Sequence, residues 1–203
     1  RDALEALDQV KGEGAVLLKW LPAIQHIDPA DERLIPFYKK LVELDLPLLS
    51  HAGDEHAFTS ADNRLGDPQR LRLPLELGVT VIVAHAASCG KTDGENNMHR
   101  FLALFDTYPN LYADISALTQ VNRLSYLADL KKRGVDPQRL LYGSDFPLIN
   151  TGLCSPLFSL PLVGLKKILP LLKLKNPWDQ DLLLKQAHGF PAEVFTNAHK
   201  LLI

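Results

Sequence analysis

Three residues of the chain combine a metal-binding side chain with a position at the end of an apolar run. They are His51, His85 and Asp145. Two imidazoles and a carboxylate suit Zn²⁺ or a similar divalent ion, because such ions accept nitrogen and oxygen ligands. A bound metal lowers the pKa of water towards neutrality, and a nearby carboxylate can take the proton while the water attacks a carbonyl carbon. The three residues predict a metal-dependent hydrolytic site, with Asp145 as the base.

Each of these residues taken alone also fits a purely structural role. A single histidine at the end of a strand is more often a buried structural residue than a metal ligand. Asp145, followed by Phe146 and Pro147, is typical of a residue that caps a turn. Recurrence at three apolar runs favours function, because the carboxyl ends of parallel strands form one face on which loops converge.

Further candidates lie close to these positions. Lys19, near the end of the first apolar run, is expected either to face a substrate or to be structural. His26 follows that run, and Glu55 and His56 lie in the loop after the second run; all three are candidates for substrate contact, with a solvated loop as the alternative. Cys89 follows the third run, but no base is placed to activate it as a nucleophile. The other histidines lie on helical patterns and are expected at the surface: His99, His188 and His199.

The elements that must position these residues are five short apolar runs, each followed by a helical pattern. The runs cover residues 15–21, 46–51, 79–85, 111–116 and 140–145. Near-continuous hydrophobicity is typical of strands that are buried on both faces. Helices are predicted where apolar residues recur three and four positions apart, as in residues 31–44, 67–77, 95–108 and 121–133. The alternation of strand and helix predicts an α/β fold with a parallel sheet.

Local signals mark where some of these helices begin and end. Asp67 and Pro68 provide an N-cap and a first helical residue, and Gly78 and Gly134 are placed to end helices. We expect one domain over residues 1–203, in which residues 150–203 form a terminal helical part packed on the outside of the sheet.

Composition limits the class of partner. The net charge of −2 and the absence of a Lys/Arg cluster argue against nucleic acid and favour a small neutral molecule or a small anion as substrate. The chain has 2 cysteines, too few for a disulfide framework, so we expect reduced thiols and a cytoplasmic protein. Because no apolar run reaches the length of about 20 residues that spans a bilayer, no membrane partner is expected.

Several segments occur in an order that resembles the amidohydrolase-2 family of TIM-barrel hydrolases. They are residues 19–22, 47–51, 81–85, 111–116 and 141–147, with residues 197–202 resembling the terminal helix of that family. The resemblance covers nearly all of the chain from Ala15 onward. It implies that the five runs are strands four to eight of a (β/α)8 barrel, so that this chain forms a partial barrel.

The resemblance also implies roles for individual residues. His51 would be a metal ligand, His85 a ligand or a catalytic electrophile, and Asp145 a metal ligand that also shuttles a proton. Lys19 falls in the strand-four region, where dinuclear members carry a carboxylated bridging lysine; mononuclear members lack that bridge. Zinc is the metal we expect.

One feature of the family is absent from the sequence. Members carry a His-x-His pair at the end of strand one, and this chain has no such pair. Complete barrels of this kind usually need about 250 residues, so missing strands one to three would explain both deficits. We therefore expect an N-terminally truncated barrel that can be inactive by itself. Its two open strand edges predict either a homo-oligomer that pairs through an edge strand or poor behaviour in solution.

Three functional hypotheses follow. The leading one is a metal-dependent hydrolase that cleaves an amide, ester or lactone bond of a small molecule. The second is a metal-dependent, non-oxidative decarboxylase of a small aromatic or unsaturated acid, which the release of CO₂ would distinguish. The third is an open flavodoxin-like sheet that binds a ligand without catalysis. That fold predicts a glycine-rich phosphate loop after the first strand, and residues 21–25 contain no glycine.

Overall fold

The computed structural model describes residues 2–55 and 59–203, and there short strands alternate with helices. The strands are β1 (Leu18–Trp20), β2 (Leu48–His51), β3 (Val81–Ala84), β4 (Lys91–Thr92), β5 (Glu95–Asn96), β6 (Leu111–Asp114) and β7 (Leu140–Leu141). The α-helices are α1 (Ala3–Gly12), α2 (Pro22–Gln25), α3 (Ile35–Glu43), α4 (Arg72–Glu76), α5 (Asn97–Thr107), α6 (Leu124–Lys132), α7 (Leu160–Val163), α8 (Leu165–Leu171), α9 (Pro177–Ala187) and α10 (Asn197–Leu202). The chain forms two compact units, residues 1–113 with 201–203 and residues 114–200.

Five of the strands form one sheet in the order β1-β2-β3-β6-β7. β1 runs parallel to β2, β2 to β3 and β3 to β6, with Leu48 opposite both Leu18 and Val81. Parallel neighbours need a crossover between them, and the intervening helices supply it. β4 and β5 form a separate antiparallel hairpin. The predicted alternation of parallel strands and helices is confirmed.

Burial explains why the apolar runs form strands. All four residues of β3 are at most 2% exposed, so this strand is covered on both faces. Tyr38 and Leu41 of α3 and Phe101 and Phe105 of α5 are buried in the same unit. A continuous run of small and branched apolar residues is therefore required at β3, because polar residues there would lose their hydration.

The strands are shorter than the apolar runs that predict them. The last run, residues 140–145, is strand only in β7, and its next residue donates a hydrogen bond elsewhere. The backbone N–H of Tyr142 bonds to the carbonyl oxygen of Val194 at 2.9 Å. An apolar run thus locates a strand without fixing its ends.

The predicted helix signals are confirmed. The Asp67 side chain accepts a hydrogen bond from the backbone N–H of Gln69 at 3.0 Å, as an N-cap does. Gly78 and Gly134, which follow α4 and α6, have φ of 89° and 65°, a conformation that ends helices and favours glycine. Among the described residues, no helix is both long enough and apolar enough to cross a bilayer.

In the second unit, α8 and α9 pack through Ile168, Leu171 and Leu184. His188 follows α9 and is 8% exposed, so the prediction that it lies at the surface is wrong. Its Nε2 lies 2.9 Å from the hydroxyl of Ser159. A helical pattern in the sequence does not reveal which polar residues of the helix are buried by a neighbouring element. The surface positions predicted for the other two histidines, His99 and His199, are confirmed.

Burial of His188 makes the stability of the protein depend on pH. Desolvation and the nearby charges of Lys131 and Lys167 lower the pKa of His188 to about 4. The unfolded chain binds this proton near the ordinary pKa of about 6.5, so between those values the unfolded state holds more protons than the folded state. The folded protein therefore loses stability as pH falls from about 6.5 to about 4.

We expect the free energy of unfolding to fall by on the order of 1–2 kcal/mol when the pH is lowered from about 6.5 to about 4. His188→Gln should abolish this loss. Urea denaturation at a series of pH values checks this, with the exposed His199→Gln as the matched control. If the wild type and His188→Gln lose stability equally over the interval, His188 is not the responsible group.

Candidate active site

Two of the predicted ligands lie side by side in the first unit. His51 is the last residue of β2, His85 directly follows β3, and the parallel register places His51 opposite Ala84. The centres of the two imidazole rings are 5.5 Å apart and the ring planes meet at 67°. Both side chains are buried, with 6% and 7% exposed. The pairing of β2 with β3 therefore brings the two imidazoles together.

The chain leaves β3 through an unusual turn. His85, Ala86 and Ala87 all have left-handed backbone conformations, with φ of 54°, 49° and 52°. This region costs a residue with a Cβ on the order of 1 kcal/mol, so three in succession need outside support. Backbone hydrogen bonds within the turn supply part of it, from Ser88 N–H to the His85 carbonyl at 3.0 Å and from Cys89 N–H to the Ala87 carbonyl at 2.8 Å.

Asn97, the first residue of α5, ties the loops that follow β2 and β3. Its Nδ2 donates to the Cys89 carbonyl at 2.9 Å and reaches the Asp54 carboxylate at 3.4 Å. Its Oδ1 accepts from the hydroxyl of Thr92 at 2.7 Å. Asn97 is 1% exposed, so these bonds are shielded from water. The residue is not among the sequence candidates, because an amide at the start of a helix gives no signal of what it binds.

Close backbone contact adds to this connection between the two loops. The N–H of Gly53 donates to the Gly66 carbonyl at 2.7 Å, and Gly53 has φ of 90°. A Cβ at Gly53 would lie 2.7 Å from the Cys89 carbonyl oxygen. Only glycine fits both the conformation and the space. The loop that follows His51 is thereby fixed against the loop that follows β3.

Glu55 is the sequence candidate that lies beside a histidine. Its Oε2 is 3.8 Å from Nε2 of His51, and its side chain is 13% exposed. The backbone N–H of Glu55 donates to Oδ1 of Asn63 at 2.8 Å, which holds the loop in place. The histidine pair thus has a carboxylate at one side.

Of the other substrate-binding candidates, the structure describes Lys19 and His26. Lys19 is the central residue of β1, exposed and opposite Leu49 of β2. His26 follows α2, is exposed and has φ of 53°. His56 lies outside the described residues. Their expected contact with substrate stays a prediction.

Asp145 lies in the second unit, in the turn that follows β7. Its φ is 56°, its carbonyl accepts the N–H of Leu148 at 2.9 Å, and it is partly exposed. Aspartate tolerates this left-handed conformation better than most residues. Asp145 therefore lies on a turn beyond the strand, rather than at the strand's last residue.

A buried polar network supports this turn from α9. Lys185 is 0% exposed, and its Nζ donates to Asp181 Oδ2 at 2.7 Å and to the Gly143 carbonyl at 3.1 Å. Asp181 also accepts from the hydroxyls of Thr119 at 2.6 Å and Tyr142 at 3.1 Å. Burial lowers the pKa of Lys185, and Asp181 opposes that shift. The ammonium therefore holds a carbonyl in the backbone segment that leads to the candidate base.

Gly143, at the centre of that segment, packs closely against Ser116. A Cβ at Gly143 would lie 3.0 Å from the Cβ of Ser116, tighter than ordinary contacts allow. Ser116 is itself fixed, because its backbone N–H and hydroxyl donate to Oδ1 of Asp114. The backbone before Asp145 is thus held by the packing of Gly143 against Ser116 and by the hydrogen bond from Lys185 to the Gly143 carbonyl.

The histidine pair belongs to the first unit and Asp145 to the second. Within residues 2–55 and 59–203, no three or more His, Cys, Asp or Glu side chains are arranged as a group that could hold a metal ion. The part of the site that the geometry assembles is the histidine pair with Glu55.

The sequence model of the amidohydrolase family matches residues 2–155, well over half of the chain. The chain belongs to the amidohydrolase family. The matched stretch contains His51, His85 and Asp145, so all three candidate ligands lie in the part that defines membership. No curated protein sequence matches the chain.

Three solved structures are similar to this amidohydrolase in fold. A protein described as a metal-dependent hydrolase from Lactobacillus casei has a TM-score of 0.59 and 21% identity, over 98% of this chain and 58% of that one. A protein described as a 2-pyrone-4,6-dicarboxylic acid hydrolase from Pseudomonas putida has a TM-score of 0.58 and 13% identity, over 99% of this chain and 68% of that one. A TIM-barrel protein from Bordetella bronchiseptica has a TM-score of 0.58 and 16% identity, over 91% of this chain and 63% of that one.

These likenesses concern the fold alone. The amidohydrolase chain spans 58% of the length of the first of these structures, and its five parallel strands correspond to part of a TIM barrel. The predicted partial (β/α)8 barrel is confirmed.

Asn97→Asp should destabilise the protein although it preserves side-chain shape. The substitution removes the donor to the Cys89 carbonyl and places a second carboxylate beside Asp54, with an expected cost of about 2–4 kcal/mol. Urea denaturation measures it. Asn96→Asp is the matched control, because Asn96 acts as an N-cap by accepting from Met98 N–H, which aspartate does equally well. Equal effects of the two substitutions would contradict the role of Asn97.

Asp181→Asn should destabilise the second unit more than a surface change on the same helix. Without its carboxylate partner the buried Lys185 ammonium is uncompensated, at an expected cost of about 3–5 kcal/mol. Asp179→Asn, at an exposed position of α9, is the control and should cost less than about 1 kcal/mol. Denaturation curves that coincide for the two variants would show that Asp181 does not compensate Lys185.

Proposed function

We propose that this amidohydrolase is a metal-dependent hydrolase that cleaves an amide, ester or lactone bond of a small molecule. The observation that carries the proposal is the pair of buried imidazoles, 5.5 Å apart, at the carboxyl ends of two adjacent parallel strands. In parallel α/β folds this end of the sheet is where active sites form. Membership of the amidohydrolase family supports hydrolysis as the general reaction.

The chemistry of the donor set fits a divalent metal, with zinc as our proposal for its identity. His51 and His85 are rigidly placed nitrogen donors, and Glu55 lies 3.8 Å from Nε2 of His51 as a carboxylate neighbour. Nitrogen and carboxylate oxygen together are the ligands that Zn²⁺ accepts. We assign His51, His85 and Asp145 as the residues that would hold the ion. When bound, a zinc ion lowers the pKa of water to near 7 and polarises a carbonyl group.

The residues of the chain supply the rest of the mechanism. The loops fixed by Asn97 and Gly53 hold the two imidazoles at one spacing, so that little reorganisation is needed when the site is used. The carboxylate of Glu55, whose Oε2 lies 3.8 Å from Nε2 of His51, acts on that imidazole through its charge, since the distance is too long for a hydrogen bond. Asp145 is the base that takes a proton from the attacking water and returns it to the leaving group. The turn supported by Lys185 limits the positions that its carboxylate can adopt.

The compartment that we propose is the cytoplasm. Neither Cys89 nor Cys154 is in a disulfide bond, and burial raises the pKa of the Cys154 thiol, which keeps it protonated and unreactive. Free thiols persist in a reducing compartment.

Substitution of the assigned ligands tests the proposal. In the full-length protein, His51→Ala and His85→Ala should each lower the affinity for zinc by about 10- to 100-fold or more. Asp145→Asn should lower kcat by about 10² to 10⁴-fold on any hydrolysed ester, amide or lactone, because the base is lost. Zinc content after dialysis against a graded chelator, and product analysis on a substrate panel, provide the measurements.

His99→Ala is the control, since this histidine is exposed on α5. Wild-type zinc content in both His51→Ala and His85→Ala would remove the ligand assignment. Release of CO₂ in place of a hydrolysed product would identify a decarboxylase and overturn the proposed bond cleavage.

A further inference from the structure

One stretch of the second unit exposes an unusual amount of apolar surface. Between Asp145 and Asp179 the sequence has no acidic residue and four lysines, Lys166, Lys167, Lys173 and Lys175. Large apolar side chains that are between 37% and 60% exposed occur throughout this stretch: Phe146, Leu148, Leu153, Leu157, Phe158, Leu162, Leu165, Leu169, Leu172 and Trp178. We call residues 146–178 the basic apolar segment. A concentration of exposed leucine and aromatic residues of this kind marks an interaction surface.

The rest of the described chain offers a contrast. Among the described residues outside the segment, the exposed large apolar residues are Val10, Val16, Val42, Val121, Leu183 and Ile203. They occur singly at distant positions in the sequence, as is normal for protein surfaces. The apolar exposure of the basic apolar segment is therefore a local property and not a general feature of this sequence.

Helix α8 shows how the segment is organised. A rotation of about 100° per residue places Leu165, Leu169 and Leu172 within about 60° of one another on one side of the helix. All three are exposed, at 56%, 50% and 41%. Ile168 and Leu171 lie on the adjoining side, with Ile168 about 40° from Leu172 around the helix, and both are buried. The apolar surface of α8 thus continues from its buried side onto its exposed side.

Lysines lie beside the exposed side of α8 and just after its end. Lys166 lies about 100° from Leu165 around the helix, on the side away from the buried residues. Lys173 lies in the turn that follows α8. Both lysines are exposed. Exposed leucines with neighbouring lysines are typical of segments that lie in the interface of a bilayer, where the stems of lysines bury while their ammonium groups reach the phosphates.

An aromatic pair lies at the two ends of the segment. The rings of Phe146 and Trp178 stack with centres 5.4 Å apart and planes at 12°, and the two side chains are 60% and 43% exposed. A stacked pair with this exposure places a large rigid apolar surface in solvent. Tryptophan is enriched where apolar and polar phases meet, because its ring is apolar and its N–H seeks a polar partner.

We propose that the basic apolar segment binds the surface of an anionic lipid bilayer. Charge decides the occupant: the segment has four lysines and no carboxylate, and it complements a surface rich in phosphate groups. A symmetric contact with a second copy would bring the same four lysines together and is disfavoured by repulsion. The absence of a membrane partner expected from the sequence concerned spanning segments, whereas this contact lies on the membrane and needs no span.

Binding of the full-length protein to lipid vesicles tests the proposal. Sedimentation with vesicles of phosphatidylcholine containing about 30% phosphatidylglycerol should show binding that weakens steeply with added salt. Vesicles of phosphatidylcholine alone should bind at least about tenfold more weakly. The emission of Trp178 should shift to the blue on binding, while Trp20, which is 6% exposed, contributes a constant background. Trp178→Phe should remove the shift.

Two sets of variants separate the charge from the apolar stripe. Lys166→Glu with Lys173→Glu should weaken binding by about 25-fold or more, at about fivefold per lost lysine. Leu165→Ser with Leu169→Ser and Leu172→Ser should reduce it below detection. Lys39→Glu with Val42→Ser, at exposed positions of α3, is the matched control and should bind as the wild type. Thermal unfolding checks that each variant is folded.

Each of three outcomes would overturn the proposal. One is the absence of binding to either kind of vesicle. Another is binding that the two variants of α8 leave unchanged. The third is concentration-dependent self-association without vesicle binding, lost in the leucine variant, which would assign the surface to a second copy of the chain.

Discussion

The register between β2 and β3 is the constraint on which the candidate site depends. His51 ends β2 opposite Ala84, so the residue after Ala84, His85, lies beside it with the rings 5.5 Å apart. Side chains alternate along a strand, and a slip of one residue would turn His51 to the other face of the sheet. Such a slip is resisted because all four residues of β3 are buried and apolar. The spacing of the imidazoles is thus set by an apolar strand.

Both candidate catalytic turns carry strain that a buried polar group supports. His85 and Asp145 have φ of 54° and 56°, a region that residues other than glycine seldom adopt. In the first unit the amide of Asn97 holds the loop after β3, and in the second unit the ammonium of Lys185 holds the carbonyl of Gly143. Such strain persists only where the surroundings over-determine the conformation. Each polar network therefore supports the candidate turn of its own unit.

Hydrophobic pattern predicted where the five strands of the parallel sheet lie along the chain, because a strand buried on both faces must be apolar along its length. It could not reveal the hairpin of β4 and β5, whose residues are polar. The signal for that hairpin is Asp93-Gly94, where φ values of 52° and 80° match the two-residue turn that joins such strands. The predicted helix over 95–108 includes β5, since a polar strand of two residues leaves no periodicity of its own. The proximity of Glu55 to His51 was equally out of reach, because loop conformation decides it.

Helix α9 shows why buried charge is harder to predict than buried hydrophobicity. Asp181 and Lys185 are separated by four residues, a spacing typical of an exposed ion pair on a helix surface. Here both are buried, and the pair is completed by hydroxyls of Thr119 and Tyr142. An exposed ion pair and a buried one have the same spacing in the sequence. Only the elements that pack over the helix distinguish them. The converse holds on α8, where leucines of a kind typical of a core are exposed. The function that we propose for this surface rests on residues that the fold leaves uncovered, and the function that we propose for the histidine pair rests on residues that the fold encloses.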